Sequence, residues 1–225
     1  MLDKKKTDPQ LGEEVQAVLA SLGLQTPTKE AEFPTQHEAS KIDVIEEHMR
    51  AILHTIGFDL NDDSMAETPR RVAKMFVNEK FWGLDPANFP KIMVVENKFK
   101  YDQMIIERDI PVVSCCEHHL EAIVGKATVA YIPKDRVAGL SKLNRVVEYF
   151  SRRPQVQERL TQQIQKTLQY VLDTEDVAVS ILASHNCVAC RGVQHVGCDT
   201  VTNAFGGAFL DVDKARAEFL HFVKK

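Results

Sequence analysis

The sequence predicts an α+β fold, and three observations carry the prediction. Apolar residues recur at helical spacing in stretches that come in pairs. β-rich runs fill much of residues 92–132 and return at 177–182 and 200–209, between the helical pairs. No repeat of solenoid period and no low-complexity tract interrupts the chain, so helices and a sheet sharing one main core are expected.

Each element has its own signal. Val15, Val18, Leu19 and Leu22 have helical spacing and are followed by Gly23, then by a polar segment with Pro27 and Pro34, so residues 1–35 read as a short helical appendage and linker ahead of a main domain at 36–225. Ile42, Ile45, Met49, Ile52, Leu53 and Ile56 share one face of a helix that stops at Gly57. Thr68-Pro69 has the form of an N-cap followed by proline at the first helical position, opening a helix that turns Val72, Met75 and Phe76 inward and leaves Arg70, Arg71 and Lys74 more exposed. Strand runs follow at 92–95, 104–106, 111–113 and 127–132. Gly139 then opens a helix through Leu143, Val146, Val147 and Phe150, stopped by Pro154, and a longer one places Val156, Leu160, Ile164, Leu168 and Val171 on one face. A strand at 177–182, another at 200–209 and a final helix carrying Ala217, Leu220 and Val223 complete the chain.

The bulk properties bound the function. At 225 residues the chain can bury a substantial core without disulfides, and its five cysteines, an odd number confined to 115–198, suit metal or thiol chemistry in a reducing compartment. A net charge of -4 argues against a nonspecific nucleic-acid coat but leaves room for a local basic pocket. No apolar run approaches bilayer length and the N-terminus has no signal-peptide pattern, so a cytoplasmic location is expected.

Chemistry concentrates in two clusters. The first, S-C-C-E-H-H at 114–119, lies at the end of a strand or in the loop after it; the second brings His185, Cys187 and Cys190 together with Arg191. Thiolate sulfur and imidazole nitrogen are the ligands of a tetrahedral zinc site, so the clusters read as two halves of one centre. Cys116 and His119 have a C-x-x-H spacing, and so do Cys115 and His118, so spacing alone does not choose between the pairs. His185 and Cys187 would face one direction if strand geometry persists there. A structural site of Cys116, His119, Cys187 and Cys190 competes with a three-ligand catalytic one, while Cys190 and Cys198 taken singly read as small buried groups. Lys142 and Arg145, three apart at the start of a helix with Ser141 beside them, could hold an anion, and Arg191 would add to it; a solvated cationic edge is the plainer reading. Gln157 and Glu158 could read a base with donor and acceptor edges, or simply suit the first turn of a helix.

From about residue 42 to 222 these motifs resemble the GTP cyclohydrolase I family. The resemblance rests on E-T-P-x-R at 67–71, C-E-H-H at 116–119, G-K-A-T-V-A-Y-I-P-K at 125–134, G-L-S-K-L-N-R at 139–145, R-P-Q-V-Q-E-R-L-T at 153–161 and H-x-C-x-x-x-R-G at 185–192. It implies the tunnelling fold, an antiparallel sheet with helices packed on one side, whose subunits join into β-barrel pentamers that stack as a homodecamer with interfacial active sites. It further implies hydrolytic opening of the guanine imidazole ring of GTP, giving 7,8-dihydroneopterin triphosphate and formate, the first step of pterin biosynthesis of the tetrahydrofolate type. Carried over residue by residue, the resemblance makes Cys116, His119 and Cys187 ligands of Zn2+ and leaves His118, His185 and Ser141 for proton transfer. Lys142, Arg145 and Arg191, together with Ser141, would hold the triphosphate, with Arg71 and Lys74 reaching in from a neighbouring subunit. Gln157, Glu158 and the backbone around Leu140 would hold the base. Cys115 and the pair Cys198-Asp199 depart from the family's familiar pattern.

Overall fold

Strand alternation organises the molecule. The computed structural model describes residues 2–28 and 38–224; Pro34 and the rest of the expected linker at 29–37 lie outside the described residues. The strands are β1 (Val94–Glu96), β2 (Ile105–Cys116), β3 (Ala122–Tyr131), β4 (Arg136–Ala138), β5 (Pro154–Gln155), β6 (Val177–His185) and β7 (Asp199–Phe205). Five of them form one sheet in the order β5-β2-β3-β6-β7, antiparallel except where β5 lies parallel to the end of β2, and β1 pairs with β4 apart from it.

On one face, Ile110, Val112, Ile123, Ala127, Val129, Val177, Val179 and Ile181 are buried in the main core. Against them pack α4 (Leu140–Ser151) and α5 (Gln157–Leu172), preceded in the chain by α1 (Pro9–Ser21), α2 (Glu38–Ile56) and α3 (Thr68–Lys74). Leu143, Val146, Val147 and Phe150 of α4 and Leu160, Ile164 and Leu168 of α5 supply the stripes as the sequence predicts, but Val156 stands before α5 as its N-cap and the buried residue at its far end is Leu172, with the expected Val171 half-buried. The opposite face carries a smaller cluster at one end, where Ala130 and Ala178 meet Phe209 of α7 (Ala208–Asp211) and Phe219 of α8 (Asp213–Val223), helices that follow the single turn of α6 (Asn186–Ala189). Elsewhere that face presents Val113, Val124, Leu182 and Val201, each exposed.

Several boundaries differ from expectation for physical reasons. The runs at 104–106 and 111–113 belong to one long strand, bent by a bulge between Glu107 and Ile110 where Asp109 takes φ 55°. Pro111 is tolerated because β5 covers β2 only at Cys115 and Cys116, leaving the proline on an open edge. β7 stops at Phe205, because Gly207 turns the chain at φ 51° and the Asp176 carboxylate accepts from the Ala208 N–H at 2.7 Å, starting a helix. Thr68 is the first residue of α3 rather than its cap, and the helix widens into a π-turn over Met75–Lys80, with Val72, Met75 and Phe76 half-buried. In α8 the buried residue is Phe219, and Ala217 faces outward. The apolar stripe of α2 is covered only in part: Ile42 is buried, while Ile52 and Ile56 stand exposed. Arg70 ties this helix to α3 through Asp43 at 3.1 Å and Glu46 at 2.6 Å.

The first residues are fastened to the core. Val15 and Leu19 are buried in it, and Leu24 and Thr26 meet polar groups beneath them: the Gln163 amide donates to the Leu24 carbonyl at 2.6 Å, and Arg153 donates to Thr26 Oγ1 at 3.3 Å. Arg153 also donates to the Gly83 carbonyl and lies against the rings of Tyr149 and Phe150, at 4.6 and 4.7 Å from their centroids. Burial pulls its guanidinium below the ordinary arginine value, opposed by Tyr149. Among the described residues no helix is long and apolar enough to cross a membrane.

Gly125 shows how tightly the sheet is drawn. It lies between Val112 of β2 and Ala183 of β6, and a Cβ there would stand 2.1 Å from the Leu182 carbonyl oxygen and 2.5 Å from the Ala183 Cα. Both obstacles are backbone, so they cannot swing aside. Gly125→Ala is expected to cost about 1–3 kcal/mol of stability by forcing β3 from β6, read as a lowered denaturation midpoint; an unchanged midpoint would show that the strands separate freely.

Candidate active site

The alternation of β2 resolves which thiol faces the core. Cys116 falls on the helix-covered face, with Val112 and Ser114 in phase, and is part of the main core; Cys115 points to the other side and is 1% exposed. Burial pushes the Cys115 thiol up, which disfavours the thiolate a metal needs. Beyond Cys116 the chain turns tightly: the Cys116 N–H donates to Glu121 O at 2.7 Å, the Leu120 N–H donates to Cys116 O at 2.8 Å, and Leu120 takes φ 56°. This turn carries Glu117, His118 and His119.

The second half of the site comes from β6. The strand ends at His185 and Cys187 lies in the single turn of α6, so the expectation that both side chains follow strand alternation fails where the backbone turns helical. The turn brings Cys187 to the first half: ligand atoms of Cys116, His119 and Cys187 all lie within 4.8 Å of one another. In a tetrahedral zinc shell with Zn–S near 2.3 Å, two sulfurs stand about 3.8 Å apart, so this grouping fits one ion with little movement. The donor set fits as well. Burial, and then the neighbouring Cys116 thiol, push the Cys187 thiol up, and a cation between the two is what stabilises both as thiolates.

Cys190, the fourth member of the alternative structural site, is exposed and outside this group. Cys190 and Cys198 are both exposed, correcting their reading as buried groups, because residues 190–198 run over the surface. His118 places Nδ1 3.8 Å from the Cys116 sulfur.

His185 is held in one tautomer. The side chain of Gln157, 1% exposed, donates from Nε2 toward the Ile181 carbonyl at 3.1 Å, the Thr200 carbonyl at 3.0 Å and Thr202 Oγ1 at 3.1 Å. Carbonyls only accept, so Gln157 Oε1 is the atom turned to His185 Nε2, 2.6 Å away, and that nitrogen carries the hydrogen. Nδ1 is left with the lone pair. Burial pulls His185 below the ordinary histidine value, with Glu158 nearby pulling it back. Glu158 is exposed in the first turn of α5. The Gln157 amide, expected at the base, thus already has protein partners.

The remaining expected residues are spread over α3, α4 and the segment after α6. Leu140 and Ser141 are exposed at the start of α4. Burial, and then the charges of Arg145, Lys6 and Lys91, pull Lys142 below the ordinary lysine value, a strain that an anion would relieve. Arg145 lines a hollow of about 200 Å3 with Asp3, Lys6, Trp82 and Glu148. Lys74 lines a neighbouring hollow of about 610 Å3 that shares Trp82 and Glu148. Arg71 is exposed on α3, and Arg191 is exposed just past the metal group, close enough to lower Cys187. Lys6 and Lys91 went unnoticed in the sequence because nothing in their spacing ties them to Lys142; a backbone bond from the Lys91 N–H to Lys6 O at 2.8 Å does so.

A family profile described as GTP cyclohydrolase I matches residues 45–224. GTP cyclohydrolase 1 of Aeromonas hydrophila subsp. hydrophila is 54% identical over 211 residues, 94% of this chain and 95% of that protein. GTP cyclohydrolase 1 of Haemophilus ducreyi is 50% identical over 213 residues, 95% of this chain and 96% of its own length. The solved structure of an archaeosine synthase QueF-Like in the apo form aligns with TM-score 0.38 at 16% identity over 48% of this chain and 94% of that one, too slight a likeness to bear on the fold.

Proposed function

The chain belongs to the GTP cyclohydrolase I family, and from that premise we propose that it hydrolyses the guanine imidazole ring of GTP to give 7,8-dihydroneopterin triphosphate and formate, opening pterin biosynthesis of the tetrahydrofolate type. One observation carries the reading above the rest. Cys116, His119 and Cys187 converge at one end of the sheet with two further imidazoles, His118 and His185, beside them.

In this reading Cys116, His119 and Cys187 hold Zn2+. Bound there, the ion would supply Lewis acidity toward water and the substrate. The chain's own residues do the rest. Glu158 accepts hydrogen bonds from the amide and amino edge of the base, with backbone at Leu140 along its side and Gln157 beneath. His185 keeps its Nε2 hydrogen on Gln157 and exchanges a proton with the opening ring through Nδ1. His118 and Ser141 serve the later proton transfers. Ser141, Lys142, Arg145 and Arg191 bind the triphosphate, and Arg71 and Lys74 approach from a neighbouring subunit.

The assembly we propose is the tunnelling fold's pentamer, in which sheets join edge to edge as a β-barrel, stacked in pairs as a homodecamer. The uncovered length of β2, the free edge of β7 and the exposed apolar side chains Val113, Val124, Leu182 and Val201 support it. A cytoplasmic setting suits the free thiols of all five cysteines. Residues 1–35 form an N-terminal extension of the catalytic domain at 36–225.

The test is to incubate zinc-loaded protein with GTP and to measure formate, the pterin chromophore and zinc per subunit together. Both products should form in step. Tight guanine-nucleotide binding without turnover would instead identify a binding protein, and full activity without zinc would remove the metal from the chemistry.

A further inference from the structure

Glu117 stands between the metal-group residue Cys116 and His118, and its carboxylate is occupied. One oxygen pairs with the guanidinium of Arg159, on the first turn of α5, and the other lies 3.9 Å from His118 Nε2. Arg159 and Glu117 are 15% and 22% exposed, so water screens the pair far less than it does a surface ion pair. The guanidinium is itself held at two more points, by the Gln155 side-chain oxygen at 3.2 Å and the Pro154 carbonyl at 3.3 Å. Gln155 is fully buried, and its amide nitrogen is spent on the Phe150 carbonyl at 2.9 Å and Gln163 Oε1 at 2.8 Å. Meanwhile the Glu117 N–H donates to the Gln155 carbonyl at 3.0 Å. Backbone and side chain of Glu117 are therefore both fixed to one rigid support, built from β5 and α5.

We propose that Arg159 and Glu117 are positioning residues that brace the turn holding Cys116, His118 and His119, and so set how firmly the metal is retained. The physical ground is preorganisation. A turn of this length between two strands could rock about its ends, and each ångström of rocking would separate His119 from the two thiols on different elements. Neither residue of the pair belongs to the metal group. Arg159 brings no favourable charge to a cation, so its contribution comes through the geometry of Glu117. The proposal rests on the zinc reading of the site.

Zinc transfer from the intact protein to a chelator, followed without GTP, tests it on Arg159→Met, Arg159→Lys and Glu117→Gln. Arg159→Met should release zinc about 10-fold to 100-fold faster, with kcat lowered and the KM for GTP unchanged. Arg159→Lys keeps the charge but loses the planar fork, and should fall between Arg159→Met and the natural protein. Removing either partner of the pair lowers the thermal midpoint in any state, but each metal-free variant should fall less below the metal-free natural protein than its zinc-loaded form falls below the zinc-loaded natural protein. Wild-type zinc retention in Arg159→Met would overturn the proposal, as would a metal-free midpoint lowered as far as the zinc-loaded one, which marks a purely structural role. Fast zinc release in Glu117→Gln but not in Arg159→Met would also overturn it, by making Glu117 act on the ion directly. A protein that holds zinc in this pattern yet leaves GTP unchanged would sink the functional reading and leave the brace standing.

Discussion

Cys187→Ser is expected to empty the metal site and abolish formate release from GTP. Cys187 is the only member of the metal group contributed by α6, and it joins a thiol at the end of β2 and an imidazole in the turn that follows. Serine keeps the size but replaces a thiolate with a hydroxyl that stays protonated and binds zinc weakly. Loss of a partner outside the ligand shell already costs about 10-fold to 100-fold in affinity or activity, and loss of a ligand should exceed that range. Cys190→Ser, at the exposed thiol one turn further on, should leave both zinc content and turnover intact. Metal analysis beside formate measurement checks both variants. Undiminished turnover in Cys187→Ser, or in the natural protein after exhaustive chelation, would exclude a metal-dependent reaction.

The second large effect is at His185. Glutamine at this position can place an amide N–H where Nε2 now stands, keeping the 2.6 Å contact to Gln157, but it has nothing equivalent to the free lone pair of Nδ1. His185→Gln should therefore retain zinc and bind GTP with nearly unchanged affinity while kcat falls about 10²-fold to 10⁴-fold, the usual contribution of a placed proton-transfer group. Rapid-quench turnover with a parallel binding measurement separates the two quantities. A variant that turns over normally would remove His185 from the proton path, and one that loses zinc would recast it as part of the metal support.

Much of this site is readable from spacing and residue type, because ligand chemistry leaves few alternatives. S-C-C-E-H-H and the later His185, Cys187 pair announce a thiolate and imidazole centre before any fold is known. What spacing could not supply was direction. Cys115 and Cys116 have equal claims in the sequence, and only the phase of β2 puts one in the core and the other on the opposite face. The helices of the core were legible for the same reason the thiols were not: Leu160, Ile164 and Leu168 repeat on one face, so periodicity alone orients them. β4 was missed because three residues cannot show a period, and the bulge at Asp109 split one strand into two apparent runs. The support under the turn was hidden more deeply. Gln155, Arg159 and Gln163 look like the polar side of an amphipathic helix, yet Gln155 and Gln163 are fully buried and every one of the three is engaged with the protein.

The fastening of Leu24 and Thr26 bears on the order in which the molecule is made. Their partners Gln163 and Arg153 lie 139 and 127 residues further along the chain. A ribosome therefore releases the first segment long before anything exists for it to hold. The local strand pairs β2–β3 and β6–β7 close short loops and can form early, whereas these two contacts close loops that are entropically costly until the sheet and α5 are in place. Leu24 and Thr26 are thus expected to settle late, over the buried Arg153, once the sheet and α5 are in place.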